Sequence, residues 1–173
     1  GMVVKTMDGE LNMSKMGGLR KKLPLTSISF IIGALAISGI PPLAGFFSKD
    51  HIIASIFDQG YYIIAVTAVF VSLLTALYMF RVFFLVFTGT PREGSLYDNA
   101  KESYISMKIP LILLFVITIF VGFLGYDTHN SLFFSRFLNY FYVEAYHVIT
   151  PVLTMVLSII AGIIGIFIAY LLY

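Results

Sequence analysis

Charged residues are scarce in this 173-residue sequence, and two residue types are missing altogether. Only 12% of the residues are Asp, Glu, Lys or Arg, whereas 59% are hydrophobic. A soluble domain carries about 25% charged residues, so this chain cannot cover a water-facing surface and is predicted to be a membrane protein. Disorder is excluded as well, because 17 Phe and 11 Tyr favour burial over solvation.

Cysteine and tryptophan are the missing residues. The absence of cysteine excludes disulfides, thiolate metal sites, Cys-ligated iron–sulfur clusters and Cys nucleophiles. The histidines His51, His129 and His147 are too scattered to predict a metal or haem site, and the net charge of +2 is too small to indicate a nucleic-acid partner. Without tryptophan, tyrosines are expected to form the interfacial belt.

Four apolar stretches predict an all-α, polytopic membrane protein with about four transmembrane helices. They cover residues 23–57, 61–87, 109–126 and 148–173. Each is near or above the ~20 residues that cross ~30 Å of hydrocarbon. Pro110 and Pro151 are expected in the first turns of the third and fourth helices, where proline is well tolerated.

Polar connections divide the chain into three parts. Residues 1–23 are expected to form a cytoplasmic segment, 24–92 to hold the first two helices, and 93–173 to hold the C-terminal transmembrane helices. Aromatic residues within 127–147 recur at helical spacing and favour a short interfacial helix, with an ordered loop as the alternative.

The distribution of Lys and Arg predicts the orientation in the membrane. With four crossings, nine of the eleven basic residues fall on one side, and Lys49 and Arg136 fall on the other. Short cytoplasmic loops collect Lys and Arg. Both ends are therefore expected to face the cytoplasm, or the matrix or stroma in an organelle.

Small residues recur along the second and fourth apolar stretches at the spacing of one helix face. They are Ala65, Ala68, Ser72 and Ala76 on the second stretch, and Ser158, Ala161, Gly162, Gly165 and Ala169 on the fourth. Such stripes let helices approach closely in lipid. Packing within the chain and contact with another subunit both account for them.

The first apolar stretch is interrupted at Gly39-Ile40-Pro41-Pro42, which predicts a discontinuous helix. The two prolines lack an N–H, so carbonyls four residues earlier lose their donors. Gly39 and Gly45 are expected to relax the backbone on either side, which makes residues 39–45 non-helical. Broken backbone in a membrane needs protein or a water-filled cavity around it, and transporters place ion sites at such breaks.

Lys49 and Asp50 directly follow this break. The apolar sequence that continues through Ile52 and Ile53 favours a buried site, where a desolvated lysine can load and release a proton. The alternative is that both charges snorkel to the surface from the end of a helix. Asp50 points about 100° away from Lys49 on a helix and needs a partner of its own.

Two further titratable residues are weaker candidates. Arg81 lies six residues before the end of the second apolar stretch, where snorkelling to the cytoplasmic side accounts for it; a role in ion transfer is the alternative. His51 follows Asp50 and adds a titratable group without a defined use. No catalytic residue, metal site or cofactor site is predicted in this chain.

Three motifs carry a resemblance to a known family. They are residues 15–21 (KMGGLRK), 39–50 (GIPPLAGFFSKD) and 78–81 (YMFR). In this order they resemble the largest antiporter-like subunit of respiratory complex I, the NADH:quinone oxidoreductase, which is subunit L in bacteria and subunit 5 in mitochondria. Residues 93–173 match in helix pattern only. Asn12, Ser14 and His51 depart from the residues that the family commonly has there.

The resemblance implies that Lys49 is the lysine of the discontinuous helix near the proton exit, with Asp50 beside it. His51 and Arg81 stay further candidates for proton translocation on the sequence itself. Residues 24–92 would be the end of the antiporter-like proton-translocating domain. The chain would be a C-terminal fragment whose other proton-path residues lie upstream. The enzyme implied is the whole translocating complex: NADH, flavin, iron–sulfur clusters and quinone belong to its other subunits.

The implied partners are the other membrane subunits of complex I, above all the adjacent antiporter-like subunit, and the lipid bilayer. The implied location is the bacterial plasma membrane, with an organellar inner membrane as the alternative. Subunits of sodium/proton antiporters and of membrane-bound hydrogenases carry similar broken helices, although Phe-Ser-Lys-Asp at 47–50 favours complex I. A purely structural module that moves no ion is the third alternative, and Lys49 at a Pro-Pro break argues against it.

Overall fold

The described part of the chain is helical, as the composition predicts for this membrane class. The computed structural model describes residues 1–92, 97–98, 100–101, 105–126 and 151–173. The interfacial segment predicted at 127–147 lies outside these described residues.

Six α-helices occur in the described ranges. They are α1 Met2–Thr6, α2 Pro24–Ser38, α3 Ala44–Asp58, α4 Tyr62–Phe87, α5 Ile105–Tyr126 and α6 Pro151–Leu172, and two 3₁₀ turns at Met13–Lys15 and Leu19–Lys21 precede α2. Helices α4, α5 and α6 are long and apolar enough to cross a membrane. Helices α2 and α3 have 15 residues each, about 22 Å apiece, which is too short to cross alone.

Proline placement agrees with the sequence expectation in α6 and departs from it in α5. Pro151 is the first residue of α6, and Pro24 likewise opens α2. Pro110, however, lies inside α5, because this helix begins five residues earlier at Ile105. The proline ring therefore leaves the Ser106 carbonyl without its usual helical donor.

Ring contacts define the directions of the helices. Phe30 near the start of α2 lies 5.5 Å from Phe87 at the end of α4, measured between ring centroids. Phe84 near the end of α4 lies 5.8 Å from Tyr170 near the end of α6. Helix α4 therefore runs antiparallel to α2 and parallel to α6.

One end of the bundle carries most of the described cations, and we call it the basic end. It is the end where α2 begins and where α4 and α6 finish. Exposed cationic side chains there are Lys15, Arg20, Lys21, Arg81 and Arg92. The Lys and Arg residues predicted to share one side of the membrane thus lie mostly at one end of the helix bundle.

A Gly-Gly pair closes the basic end. The Gly18 N–H donates to the Thr88 carbonyl oxygen at 2.9 Å. A Cβ at Gly17 would lie 2.5 Å from the carbonyl oxygen of Thr90. Only glycine permits this approach of two backbones, and the following Leu19 is fully buried against the end of α4.

Small residues form the contact between α4 and α6. Ala76 and Ala169 are fully buried. A Cβ at Gly165 would lie 2.5 Å from the Leu73 carbonyl oxygen and 2.9 Å from the Ala76 Cβ. Ala76 and Gly165, one from each stripe seen in the sequence, therefore pack on each other within this chain, where the close approach gains dispersion contacts that lipid cannot match.

Replacing Gly165 by alanine should loosen this contact. The added Cβ would meet a backbone carbonyl, which cannot rotate away, so α4 and α6 must separate at a cost of about 1–3 kcal/mol. We expect a lower midpoint of thermal unfolding for the protein in detergent. The midpoint is measured by size-exclusion chromatography of samples heated to increasing temperatures, which reports the amount of folded protein that remains. Gly33→Ala on α2 is the control, because its Cβ meets nothing within 4 Å. Equal midpoints for the two variants would contradict the close packing.

Candidate functional site at the helix break

The backbone between α2 and α3 is non-helical over residues 39–43. Gly39 ends α2 with φ +77° and ψ +39°, and its N–H donates to the Ala36 carbonyl oxygen at 3.1 Å. This left-handed conformation is one that glycine adopts without a Cβ penalty. The peptide bond between Pro41 and Pro42 is cis.

Gly45 has a different role from the one expected from the sequence. It was expected in the non-helical segment, but it lies in the first turn of α3. A Cβ at Gly45 would overlap the carbonyl oxygen of Ala36 on α2, and a Cβ at Gly122 on α5 would overlap that of Pro42. Gly122 therefore lets α5 approach the broken backbone, and Gly45 lets the start of α3 approach α2 at Ala36, just before the break.

The break lies about halfway along the bundle. Gly162, near the middle of the 22-residue α6, faces it. A Cβ there would lie 3.1 Å from the Ile40 side chain and 3.3 Å from the Ser38 carbonyl oxygen. Since α6 is long enough to cross a membrane, we expect the break to lie in the membrane interior. Helices α5 and α6 supply the protein that such backbone requires around it.

Lys49 lies one turn past Gly45, with its side chain folded against the break. A Cβ at Gly39 would be only 3.3 Å from the Lys49 Cδ atom. The half-buried side chain borders an open groove of about 450 Å³ between α3 and the first half of α4. The rest of the groove is almost entirely apolar, with Ile53 and Ile64 among its walls. The stem of Lys49 is thus held while its amine is partly desolvated.

Asp50 points to the other side of α3. Its side chain is only 5% exposed, and neither carboxylate oxygen has a hydrogen-bond partner among the described residues. The hydroxyl of Ser158 on α6 lies beside it. Burying an ionised carboxylate without a partner costs several kcal/mol. Asp50 is therefore not paired with its neighbour Lys49, and its environment calls for a proton or water.

Arg81 and His51 do not join these two residues. Arg81 is exposed at the basic end, where its guanidinium carbon lies 5.0 Å from the ring centroid of Tyr173, a cation–π contact. Tyr173 follows Ser158 by 15 residues, about 22 Å of helix, so Arg81 lies far from Asp50. The backbone of His51 belongs to α3, and its side chain is outside the described part of the structure.

Comparison with known proteins gives the family of this chain. The family model for NADH:quinone oxidoreductase/Mrp antiporter transmembrane proteins matches residues 1–75, which include the break and Lys49. NADH-quinone oxidoreductase subunit L of Rickettsia bellii (strain RML369-C) is 36% identical over 95% of this chain and 26% of its own length. The chain belongs to this antiporter family.

A second relative comes from an organelle. NAD(P)H-quinone oxidoreductase subunit 5, organellar chromatophore 1, of Paulinella chromatophora is 41% identical over 69% of this chain and 21% of its own length. The chain therefore spans about a quarter of the length of the curated relatives it matches. Like other members of the antiporter family, it is an integral membrane protein.

The polar neighbour of Asp50 was not predicted from the sequence. Ser158 and Ser72 were counted there only as small residues of two packing stripes. In the structure both hydroxyls are buried and have no hydrogen-bond partner in the described ranges. The signal in the sequence was a hydroxyl within stripes made otherwise of alanine and glycine.

Replacing Gly45 by alanine should disrupt the break of this antiporter-family chain. The Cβ would overlap the Ala36 carbonyl oxygen, so α3 must move away from α2 at a cost of about 1–3 kcal/mol or more. We expect less of the complete subunit in the membrane complex on native gels, and a lower thermal midpoint in detergent. Unchanged assembly and an unchanged midpoint, as expected for the control Gly33→Ala, would show that the crossing is not tight.

Proposed function

We propose that this chain is part of the antiporter-like membrane subunit of an NADH:quinone oxidoreductase, in which Lys49 relays protons. The observation that carries the proposal is the position of Lys49. Its stem lies against non-helical backbone about halfway along the bundle, in a chain that matches the NADH:quinone oxidoreductase/Mrp antiporter family. Ionisable residues inside membranes are costly and mark ion pathways.

The chemistry of an amine suits this task. A lysine in an apolar groove can release its proton, whereas the guanidinium of arginine stays protonated. The proton can reach the amine from the open groove and leave toward the Asp50 side of α3. Held by its contact with Gly39, the Lys49 side chain keeps its place while its charge changes.

The rest of the complex supplies what this chain lacks. In this proposal the groove beside Lys49 faces other helices of the subunit or the adjacent antiporter-like subunit. NADH oxidation and quinone reduction, with their flavin, iron–sulfur clusters and quinone, belong to other subunits. The basic end faces the cytoplasm across a bacterial plasma membrane, or the stroma or matrix in an organelle, because short inner loops collect Lys and Arg.

A sodium/proton antiporter subunit is the second candidate. The matching family model covers both quinone oxidoreductases and Mrp antiporters. The relatives from Rickettsia bellii and Paulinella chromatophora are both named as quinone oxidoreductase subunits, which favours the first candidate. The two candidates differ in whether transport requires sodium.

Lys49→Met keeps the length of the side chain and removes its charge. In the complete subunit, assembled in its complex in proteoliposomes, we expect NADH-driven proton transport to fall by about a hundredfold or more, the range of general acid–base groups. Lys49→Arg should impair transport similarly because it does not release a proton. Assembly on native gels should persist. Lys21→Met at the exposed basic end is the matched control and should transport like wild type.

Three outcomes would contradict the proposal. Near-normal transport by Lys49→Arg would mean that Lys49 is a snorkelling anchor. Wild-type transport by both Lys49 variants would make the residue structural. Transport that stops without sodium would favour the antiporter candidate over the quinone oxidoreductase.

A further inference from the structure

Hydroxyl groups in the helices of this chain usually bond within their own helix. Those that donate to the carbonyl four residues earlier, at 2.7–2.9 Å, are Ser29, Ser38, Thr67, Thr75 and Thr118. Ser158 on α6 does not, although it is 99% buried and has no other hydrogen-bond partner in the described part. A buried hydroxyl that leaves its own helix carbonyl unused indicates a partner of another kind.

That partner faces it across the interface of α3 and α6. Asp50 is 95% buried, and both its oxygens lack partners within the described ranges. The Ser158 hydroxyl lies beside the carboxyl group. Two orphaned polar groups of complementary type thus meet in the interior of the bundle, where only a proton, a water molecule or their mutual hydrogen bond can satisfy them.

We propose that Asp50 and Ser158 form a proton hand-off site between α3 and α6. This inference rests on the proposed function of Lys49 and adds the next step of the path. When Asp50 is ionised, the Ser158 hydroxyl donates to the carboxylate. When Asp50 takes up a proton, one O–H bond forms and this group donates to the Ser158 oxygen. Loss of that proton to water restores the first arrangement.

Serine is suited to this position because its hydroxyl is both donor and acceptor and rotates to serve either state. A side chain that only donates would leave protonated Asp50 without an acceptor. Alanine would leave the buried carboxylate without a donor. Asp50 can therefore gain and lose a proton while the Asp50 carboxyl group and the Ser158 hydroxyl stay hydrogen-bonded to each other in both forms.

The site also has a direction. Lys49 and Asp50 point to different sides of α3, so a proton passed between them moves from the groove into the α3–α6 interface. Thr154, one turn before Ser158 on α6, is 98% buried. The two hydroxyl residues lead toward the start of α6, which is the end of the bundle opposite the basic end.

The test uses the complete subunit in its complex, reconstituted in proteoliposomes. Ser158→Ala should slow NADH-driven proton transport roughly tenfold, the effect expected for one lost hydrogen bond to a charged group. In an Asp50→Asn background the same change should add no further loss, because Ser158 acts through Asp50. Ser29→Ala, which removes a hydroxyl bonded within its own helix, is the matched control and should transport like wild type.

Infrared difference spectroscopy measures the carbonyl frequency of protonated Asp50, which would not change if Ser158 served only in helix packing. The carbonyl band that disappears in Asp50→Asn reports protonated Asp50, and Ser158→Ala should shift it to higher frequency through loss of the hydrogen bond. An unshifted band, wild-type transport by Ser158→Ala, or an equal further loss in the Asp50→Asn background would each overturn the hand-off site. The proposed function is tested separately by Lys49→Met. Normal proton transport by that variant would contradict the proposed function, independently of the results for the Ser158 variants.

Discussion

Non-helical backbone at the depth of the membrane interior must be enclosed by protein or water, and the architecture of this chain depends on that constraint. Residues 39–43 carry the break. Gly45 lets the start of α3 approach α2 at Ala36, just before the break, and α5 and α6 reach the break itself at Gly122 and Gly162. A side chain at Gly45 or Gly122 would overlap a backbone carbonyl. Close helix packing therefore supplies the protein that must surround this non-helical backbone.

The turn of α3 directs two charges that are neighbours in sequence to different sides of the helix. Lys49 lies along an open, mostly apolar groove, while Asp50 lies in the closed interface with α6. A Lys49–Asp50 ion pair would have held both charges at a single site and balanced them there. Instead each charge has its own environment, one accessible and one enclosed, joined only by the turn of α3. That arrangement suits stepwise proton transfer better than structural pairing.

Features that depend on local chemistry were predictable from the sequence. Pro41 and Pro42 lack the donors of a continuous helix, so the interruption between α2 and α3 follows from composition alone. The four apolar stretches and the two stripes of small residues likewise follow from length and helical spacing.

Features that depend on which helices meet were not predictable in the same way. Gly45 appeared to be part of the break, because its contact with Ala36 on another helix cannot be read from spacing. Pro110 was expected to start its helix, but α5 extends beyond it to Ile105. Ser158 became a polar partner only when α6 was brought beside Asp50.

The proposed proton relay through Lys49 and Asp50 depends most directly on the depth of the break in the membrane. An electron cryo-microscopy structure of the complete subunit in lipid nanodiscs would measure it against the surrounding bilayer. The account predicts residues 39–43 near the midplane, with Lys49 and Asp50 inside the hydrocarbon layer and water density beside the Asp50 carboxyl group. A break at the headgroups, about 15 Å from the midplane, or a continuous helix through Pro41 and Pro42, would contradict it.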